Sequence, residues 1–329
     1  MLFALSLLFG VLSAFTVNDA VALMGPPIVL AASRAAGLDF EGGIFLLAFA
    51  LTIGSVMAPL GNPQNVLIAV ESGMPAPLFT FMATLAVPTI INLALLPLLI
   101  AKWYGVGRGR AFAVPQEAIR NKRDALVAGI ALAAVVVSLA VNDALEVLGL
   151  PHVVNIGVIP FIIAAASYVL VSEPRRVLEK VSWGTIVFFI TMFIAMQGVW
   201  NSGVLTPLIS ALLPRGEGPG IGILAITAES LIFSQVLSNV PFTELFLQYA
   251  KSLGYGPTPT WPWLTMAMAT TIAGNLTLLG AASNIIILEV IESRYNKTIG
   301  FAEFAKRGVV VTALNVAVYL PFLYLSARL

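Results

Sequence analysis

Residues 51–69 read LTIGSVMAPLGNPQNVLIA, an apolar run with PLGNPQN set into it at Pro59 to Asn65. Proline lacks the amide proton that continues a helix, and its ring strikes the carbonyl one turn back. A helix running from about Gly43 to Ser72 must therefore unwind at this point and restart. The run is long enough to cross a bilayer, which takes about 20 helical residues. Unwound backbone is tolerated at that depth only where protein or a watery cavity covers it. A broken membrane helix is expected here.

Working outward, the same signature returns. Upstream, two apolar arms, Met1 to Phe15 and Ala20 to about Ser33, flank a polar break TVND at Thr16 to Asp19. Each arm is too short to span, so the pair reads as a re-entrant hairpin. Downstream, a continuous helix is expected from about Leu78 to Ile100, then a basic loop, KWYGVGRGRAFAVPQEAIRNK, from Lys102 to Lys122. Three ordinary spans follow near Ala125 to Val141, Val154 to Val171 and Trp183 to Val199. A second hairpin occupies about Gly220 to Leu253 around LSNVPF, and a second broken helix about Trp261 to Ile291 around GNLTLLGAASN. The last span runs from about Val309 to Leu325.

The halves match in order and spacing. Asn18 to Gly61 is 43 residues and Asn239 to Gly280 is 41, while Gly61 to Asn65 and Gly280 to Asn284 are both four. This divides the chain into a first repeat at 1–102, a cytoplasmic linker at 103–122 and a second repeat at 123–329. With the first hairpin entering from the cytoplasm, cytoplasmic loops hold 14 of the 17 basic residues, leaving out Arg215, Lys251 and Arg328. The second hairpin then opens outward, so the repeats are inverted, as in secondary transporters. Three continuous spans precede the second hairpin and none the first. Roughly three further helices, on the order of 90 residues, are therefore expected upstream of Met1 in the full-length protein.

Composition agrees and narrows the function. The 329 residues are 59% hydrophobic and 10% charged, with a mean hydropathy of +0.97, where a soluble domain carries about 25% charged residues. Long apolar runs without two-residue alternation mean helices rather than a barrel, hence an all-α polytopic membrane protein. A net charge of +1 argues against a nucleic-acid partner. The single histidine, His152, lies in a polar loop, and the absence of cysteine removes disulfides and thiol chemistry. No HExxH, GxSxG or metal-spaced carboxylate cluster points to an enzyme. The opening MLFALSLLFGVLSAF has neither a basic start nor a small-residue cleavage site, so it reads as retained structure.

The breaks carry the chemistry. Unwound helices free carbonyls for a small cation, and half-helix N-termini offer amide N–H groups to an anion. Candidate site residues are Asn18, Asp19, Gly61, Asn62, Pro63, Gln64 and Asn65 in the first half. In the second they are Ser238, Asn239, Thr243, Asn275, Thr277, Gly280, Ser283 and Asn284. Asn18, Asn65, Asn239 and Asn284 are candidate sodium ligands, since amide oxygens coordinate without burying charge. Intramembrane carboxylates are costly, which makes Asp19, Glu229 and Glu244 candidate proton carriers. Any one of these residues also reads as a cap or kink, and the two glutamates also read as interfacial.

SAFTVNDAVALMGPPIVLAA at 13–32, followed by LTIGSVMAPLGNPQNVLIA, resembles the ion transporter superfamily. That superfamily includes divalent anion/sodium symporters, citrate-type carriers and arsenite permeases, and the likeness is strongest to its anion permease members. SQVLSNVPFTELFL at 234–247, followed by GNLTLLGAASNIII, resembles the second copy of the signature. The resemblance implies inverted repeats, a homodimer in the full-length form and elevator-type movement of the domain bearing the hairpins. It implies a small inorganic or organic anion as substrate, sodium or protons as coupling ion, no cofactor, and a multi-pass place among the lipids of the inner (cell) membrane. The symporters carry Ser-Asn-Thr at each hairpin tip. Here both asparagines match, and the third-position hydroxyl is replaced by Asp19 and Val240. A passive anion channel and an arsenite-type efflux permease remain the alternatives.

Overall fold

A computed structural model describes residues 1–105, 121–181, 183–204, 207 and 218–328. Most of the linker therefore lies outside the described residues, with Arg108, Arg110 and Arg120, and so does Arg215. Among the described residues the regular structure is helical throughout. Helices α1 (Leu2–Phe15) and α2 (Asn18–Ala36) form the first pair, and α3 (Phe40–Gly54) and α4 (Pro63–Glu71) the first broken helix. Then come α5 (Pro77–Tyr104), α6 (Lys122–Val147), α7 (Val158–Leu170), α8 (Pro174–Glu179) and α9 (Trp183–Ser202). The second pair is α10 (Pro219–Leu237) and α11 (Asn239–Ser252), the second broken helix α12 (Trp261–Ala273) and α13 (Ala282–Tyr295), and α14 (Phe301–Ser326) closes the chain. Among the described residues six segments are long and apolar enough to cross a membrane: Phe40–Met57, Pro77–Tyr104, Lys122–Val147, Trp183–Ser202, Pro219–Leu237 and Phe301–Ser326. The protein is a multi-pass membrane protein.

Several boundaries differ from the sequence reading; helix α6, for one, runs on to Val147 rather than ending near Val141. The last helix begins at Phe301 rather than near Val309, which takes Lys306 and Arg307 out of a loop and into its first turns. Phe304 on that stretch is buried, and Glu303 pairs with Arg307 one turn on. The span expected from Val154 to Val171 is a helix of 13 residues, Val158–Leu170, preceded by an irregular segment.

The core is built by the two helix pairs, the two broken helices and the long helices α5 and α14. In each half, the first arm of the helix pair packs along the first arm of the broken helix, α1 on α3 and α10 on α12. The second arms cross over: α2 packs on α13 and α11 on α4. The continuous helices α5 and α14 pack on each other between them. Close approach explains a glycine pair on the first of these contacts. A Cβ at Gly54 would fall on the backbone of Gly10, so α1 and α3 meet where neither carries a side chain.

Helix α5 is joined to α14 by polar contacts deep in the core. The Tyr319 and Thr89 hydroxyls lie 2.6 Å apart, and Asn315 Nδ2 donates to Asn92 Oδ1 at 3.0 Å. At the α5 C-terminus, the Arg307 guanidinium lies over the rings of Phe45 and Tyr104 at 4.7 and 4.8 Å. Helices α6 and α9 keep most of their apolar surface outside this core. Leu139 of α6 joins the core, Trp200 of α9 packs against it, and polar contacts add to these. Asp143 Oδ2 and Glu146 Oε2 accept from Phe79 N and Ala76 N, each at 2.9 Å, at the start of α5. Gln248 on α11 reaches Gln197 on α9 at 3.4 Å.

Candidate functional site

The first break is held open by its own side chains. After α3 the chain makes two short 3-10 turns, Ser55–Met57 and Pro59–Gly61, separated by extended Ala58 (φ −141°, ψ 151°). Asn62, itself extended, caps α4 by accepting from Asn65 N at 2.9 Å. Pro63 takes the first helical position, where no amide proton is needed. Asn65 Nδ2 reaches back to Ser55 O at 3.0 Å and Ala58 O at 3.4 Å, satisfying carbonyls that unwinding has freed.

The second break repeats this arrangement 219 positions on. Thr277 is extended (φ −138°, ψ 161°), Leu278–Gly280 forms the 3-10 turn, and Ala281 is extended before α13. Asn284 Nδ2 donates to Gly274 O at 2.8 Å and Thr277 O at 3.2 Å, the counterparts of Ser55 and Ala58. Glycine is required at both turns: a Cβ would meet Ser55 O at Gly61, and at Gly280 it would lie 2.9 Å from Ala273 O and 3.2 Å from Gly274 Cα. Gln235 on α10 locks the second turn, donating to Ala273 O at 2.8 Å and accepting from Thr277 Oγ1 at 2.8 Å.

The two breaks are physically joined. Thr271 on α12 accepts from Asn62 Nδ2 at 3.0 Å and donates to Asn65 Oδ1 at 3.3 Å. Asn275 Nδ2 donates to Asn315 Oδ1 at 3.3 Å, connecting the second break to the asparagine pair between α5 and α14.

The tips carry the remaining candidates. Asn18 opens α2 and Asn239 opens α11, both buried, and neither side-chain oxygen has a hydrogen-bond partner among the described residues. Asn239 Nδ2 would lie 3.6 Å from a Cβ built on Gly274, the residue that Asn284 binds, so tip and break meet there. Ser238 has φ 68° and ψ 160°, a region open essentially to glycine alone, and such strain costs of order 1–3 kcal/mol. The first tip, with Val17 at φ −38°, has no such strain. Thr243 is buried in the second turn of α11 with its hydroxyl unpartnered among the described residues, as is that of Ser283 beside Asn284. Gln64 is buried next to Asn65.

The carboxylates separate. Asp19 follows Asn18 in the first turn of α2 and is half-buried. Glu229 is buried on α10, nine residues before Ser238, about 13 Å of helix from the tip. Glu244 accepts from Gln248 Nε2 at 2.6 Å on the side of α11 that meets α9. Of the three, only Asp19 adjoins a break.

Several polar residues of this region have no signature of their own in the sequence: Ser13, Asn92, Ser234, Gln235, Thr271 and Asn315. Spacing was the available signal. Ser13 and Asn18 are five apart, as are Ser234 and Asn239, and Thr89 and Asn92 are three apart, as are Thr312 and Asn315.

Comparison with known proteins agrees with this architecture. Residues 1–271 match the citrate transporter family. The chain is 27% identical over 321 residues to the uncharacterized transporter Rv2684 of Mycobacterium tuberculosis, covering 93% of this chain and 72% of that one. It is 22% identical over 324 residues to the uncharacterized transporter slr0753 of Synechocystis, covering 92% and 72%. With the inner membrane protein YbiR of Escherichia coli it shares 28% identity over 287 residues, 87% of this chain and 68% of that one. A duplicated, asparagine-clamped break inside a polytopic helical core thus coincides with a family match over most of the chain, which is a membrane transporter rather than an enzyme and belongs to the citrate transporter family.

Proposed function

We propose that the protein is an ion-coupled secondary transporter that moves a small anion or oxyanion across the cell membrane by elevator-type alternating access. The duplicated break carries the reading. Four helices end there, α1, α3, α10 and α12, and their last carbonyls favour a cation. Four others begin there, α2, α4, α11 and α13, and their first amides favour an anion. A site that binds both together couples one gradient to the other. Asparagine oxygens at the breaks are the cation ligands proposed, with sodium the ion, and Asp19 the carrier if protons couple instead. The citrate transporter family points to carboxylates, while the loss of the third-position hydroxyl at both tips, Asp19 and Val240, weakens a dicarboxylate assignment, so carboxylates and oxyanions are both candidate substrates.

On this reading α1–α2 and α10–α11 are re-entrant hairpins entering from opposite sides, so that the repeats are inverted. The largely exposed surfaces of α6 and α9 favour a frame against which the rest moves, and in a homodimer that frame would hold the partner. The inner membrane of the YbiR name is proposed for this chain as well.

The test is a thermal-shift screen of purified protein against citrate, succinate, phosphate, sulfate and arsenite, each with and without sodium. A ligand that binds the native state raises the melting temperature by mass action. An anion whose effect grows with sodium supports the reading, and no response from any of the anions in either condition counts against it.

A further inference from the structure

The two breaks share their backbone course and the pairs Gly61/Gly280 and Asn65/Asn284, yet they use their oxygen atoms differently. In the first, the Thr271 hydroxyl donates to Asn65 Oδ1 at 3.3 Å and is held there by Asn62 Nδ2 at 3.0 Å. The neighbouring Ser13 hydroxyl donates to Leu51 O at 2.6 Å. Around the second break more oxygens are unused: among the described residues Asn284 Oδ1, the counterpart of Asn65, and Ser234 Oγ, the counterpart of Ser13, are buried without a partner, as are Asn239 Oδ1 and Ser283 Oγ, which stands where the first break has Gln64. Of the first set, only the tip oxygen of Asn18 shares that state.

The cause lies in two positions. Ala281 stands where the first break has Asn62, so no amide reaches across to draw a hydroxyl in. Thr52, the counterpart of Thr271, turns its hydroxyl back to Ala48 O of its own helix at 3.0 Å. A buried oxygen without a donor is unfavourable unless an ion or water meets it. Four neutral oxygens on α10, α11 and α13, two of them amide, suit a singly charged cation. Divalent ions draw on carboxylates, and the described residues hold no cluster of three or more His, Cys, Asp or Glu.

We propose that only the second repeat binds the coupling cation, through Ser234, Asn239, Ser283 and Asn284, and that Thr271 closes the equivalent position in the first. The proposal rests on the ion-coupled reading above and assigns one cation to each chain where a duplicated fold offers two. Thr271 thereby converts one half of the site from an ion ligand set into a structural bridge between repeats.

Equilibrium binding of radioactive sodium to the purified full chain reads the number directly. Wild type should bind one sodium per chain, Asn284→Ala none, and Asn65→Ala one, with affinity changed less than about threefold. Two sodium ions per chain in wild type overturns the proposal, as does loss of binding in Asn65→Ala with the fold retained. If Asn65→Ala does not fold, the wild-type count decides. Absence of saturable sodium binding in wild type removes the sodium-coupled reading itself, and this proposal with it.

Discussion

Removing the Asn284 side chain should destabilise the protein more than removing that of Asn65, although the two occupy equivalent places. In Asn284→Ala, Gly274 O loses its donor at 2.8 Å, whereas Thr277 O keeps Gly280 N at 3.0 Å. One buried carbonyl is left unsatisfied, at a cost of about 1–3 kcal/mol. In Asn65→Ala, Ser55 O keeps Asn62 Nδ2 at 3.4 Å and Ala58 O keeps Gly61 N at 3.2 Å. The Thr271 hydroxyl is then free to turn back onto its own helix, as Thr52 does, so the cost falls to about 0.5–1 kcal/mol. At roughly 2–4 °C per kcal/mol for a large domain, Asn284→Ala should melt about 2–12 °C below wild type and Asn65→Ala about 1–4 °C below. Thermal melts of the purified chains in detergent without sodium measure both. Equal shifts, or a larger one for Asn65→Ala, would refute the reasoning from residual donors.

Gly54→Ala sets a Cβ against the backbone of Gly10, which cannot swing aside, and should cost upward of about 1–3 kcal/mol, read as lost monodisperse protein in size-exclusion chromatography. Gly10→Ala should be milder, because its Cβ meets only the end of the Leu93 side chain. Tyr319→Phe removes the hydroxyl 2.6 Å from Thr89 in a fully buried position, and should lower the melting temperature by an amount equivalent to about 1–2 kcal/mol. Because the chain has no cysteine, single cysteines at Gly37 and Gly256 can be labelled in intact cells, and they should react from opposite sides of the membrane. Labelling from one side would show that the repeats are not inverted.

The helix pairs and broken helices were legible because proline, glycine or asparagine interrupts the apolar runs at Thr16–Asp19, Pro59–Asn65, Leu237–Phe242 and Gly274–Asn284, where local chemistry disfavours a continuous helix. The start of α14 was not. FAEFAKRG reads as loop by hydropathy, and its helicity comes from burying Phe304 and placing Arg307 among aromatic rings of α3 and α5. The site shows the same division. Residues inside the breaks could be named because the breaks expose them. Thr271, Asn92 and Asn315 each sit inside a regular apolar helix, where one polar side chain carries no local signal. Only the packing of α12 against the first break and of α5 against α14 assigns their partners.

The central claim is that the two tips flank one ion-coupled anion site, and transport by reconstituted protein tests it most directly. Proteoliposomes would be given radiolabelled citrate, succinate, phosphate or arsenite under an imposed sodium or proton gradient. Wild type should accumulate at least one of these anions above its equilibrium level. Asn18→Ala and Asn239→Ala should each cut that uptake by on the order of tenfold or more, with the same amount of protein in the membrane. Flux that only follows each anion's own gradient, or wild-type accumulation in both variants, would contradict the account.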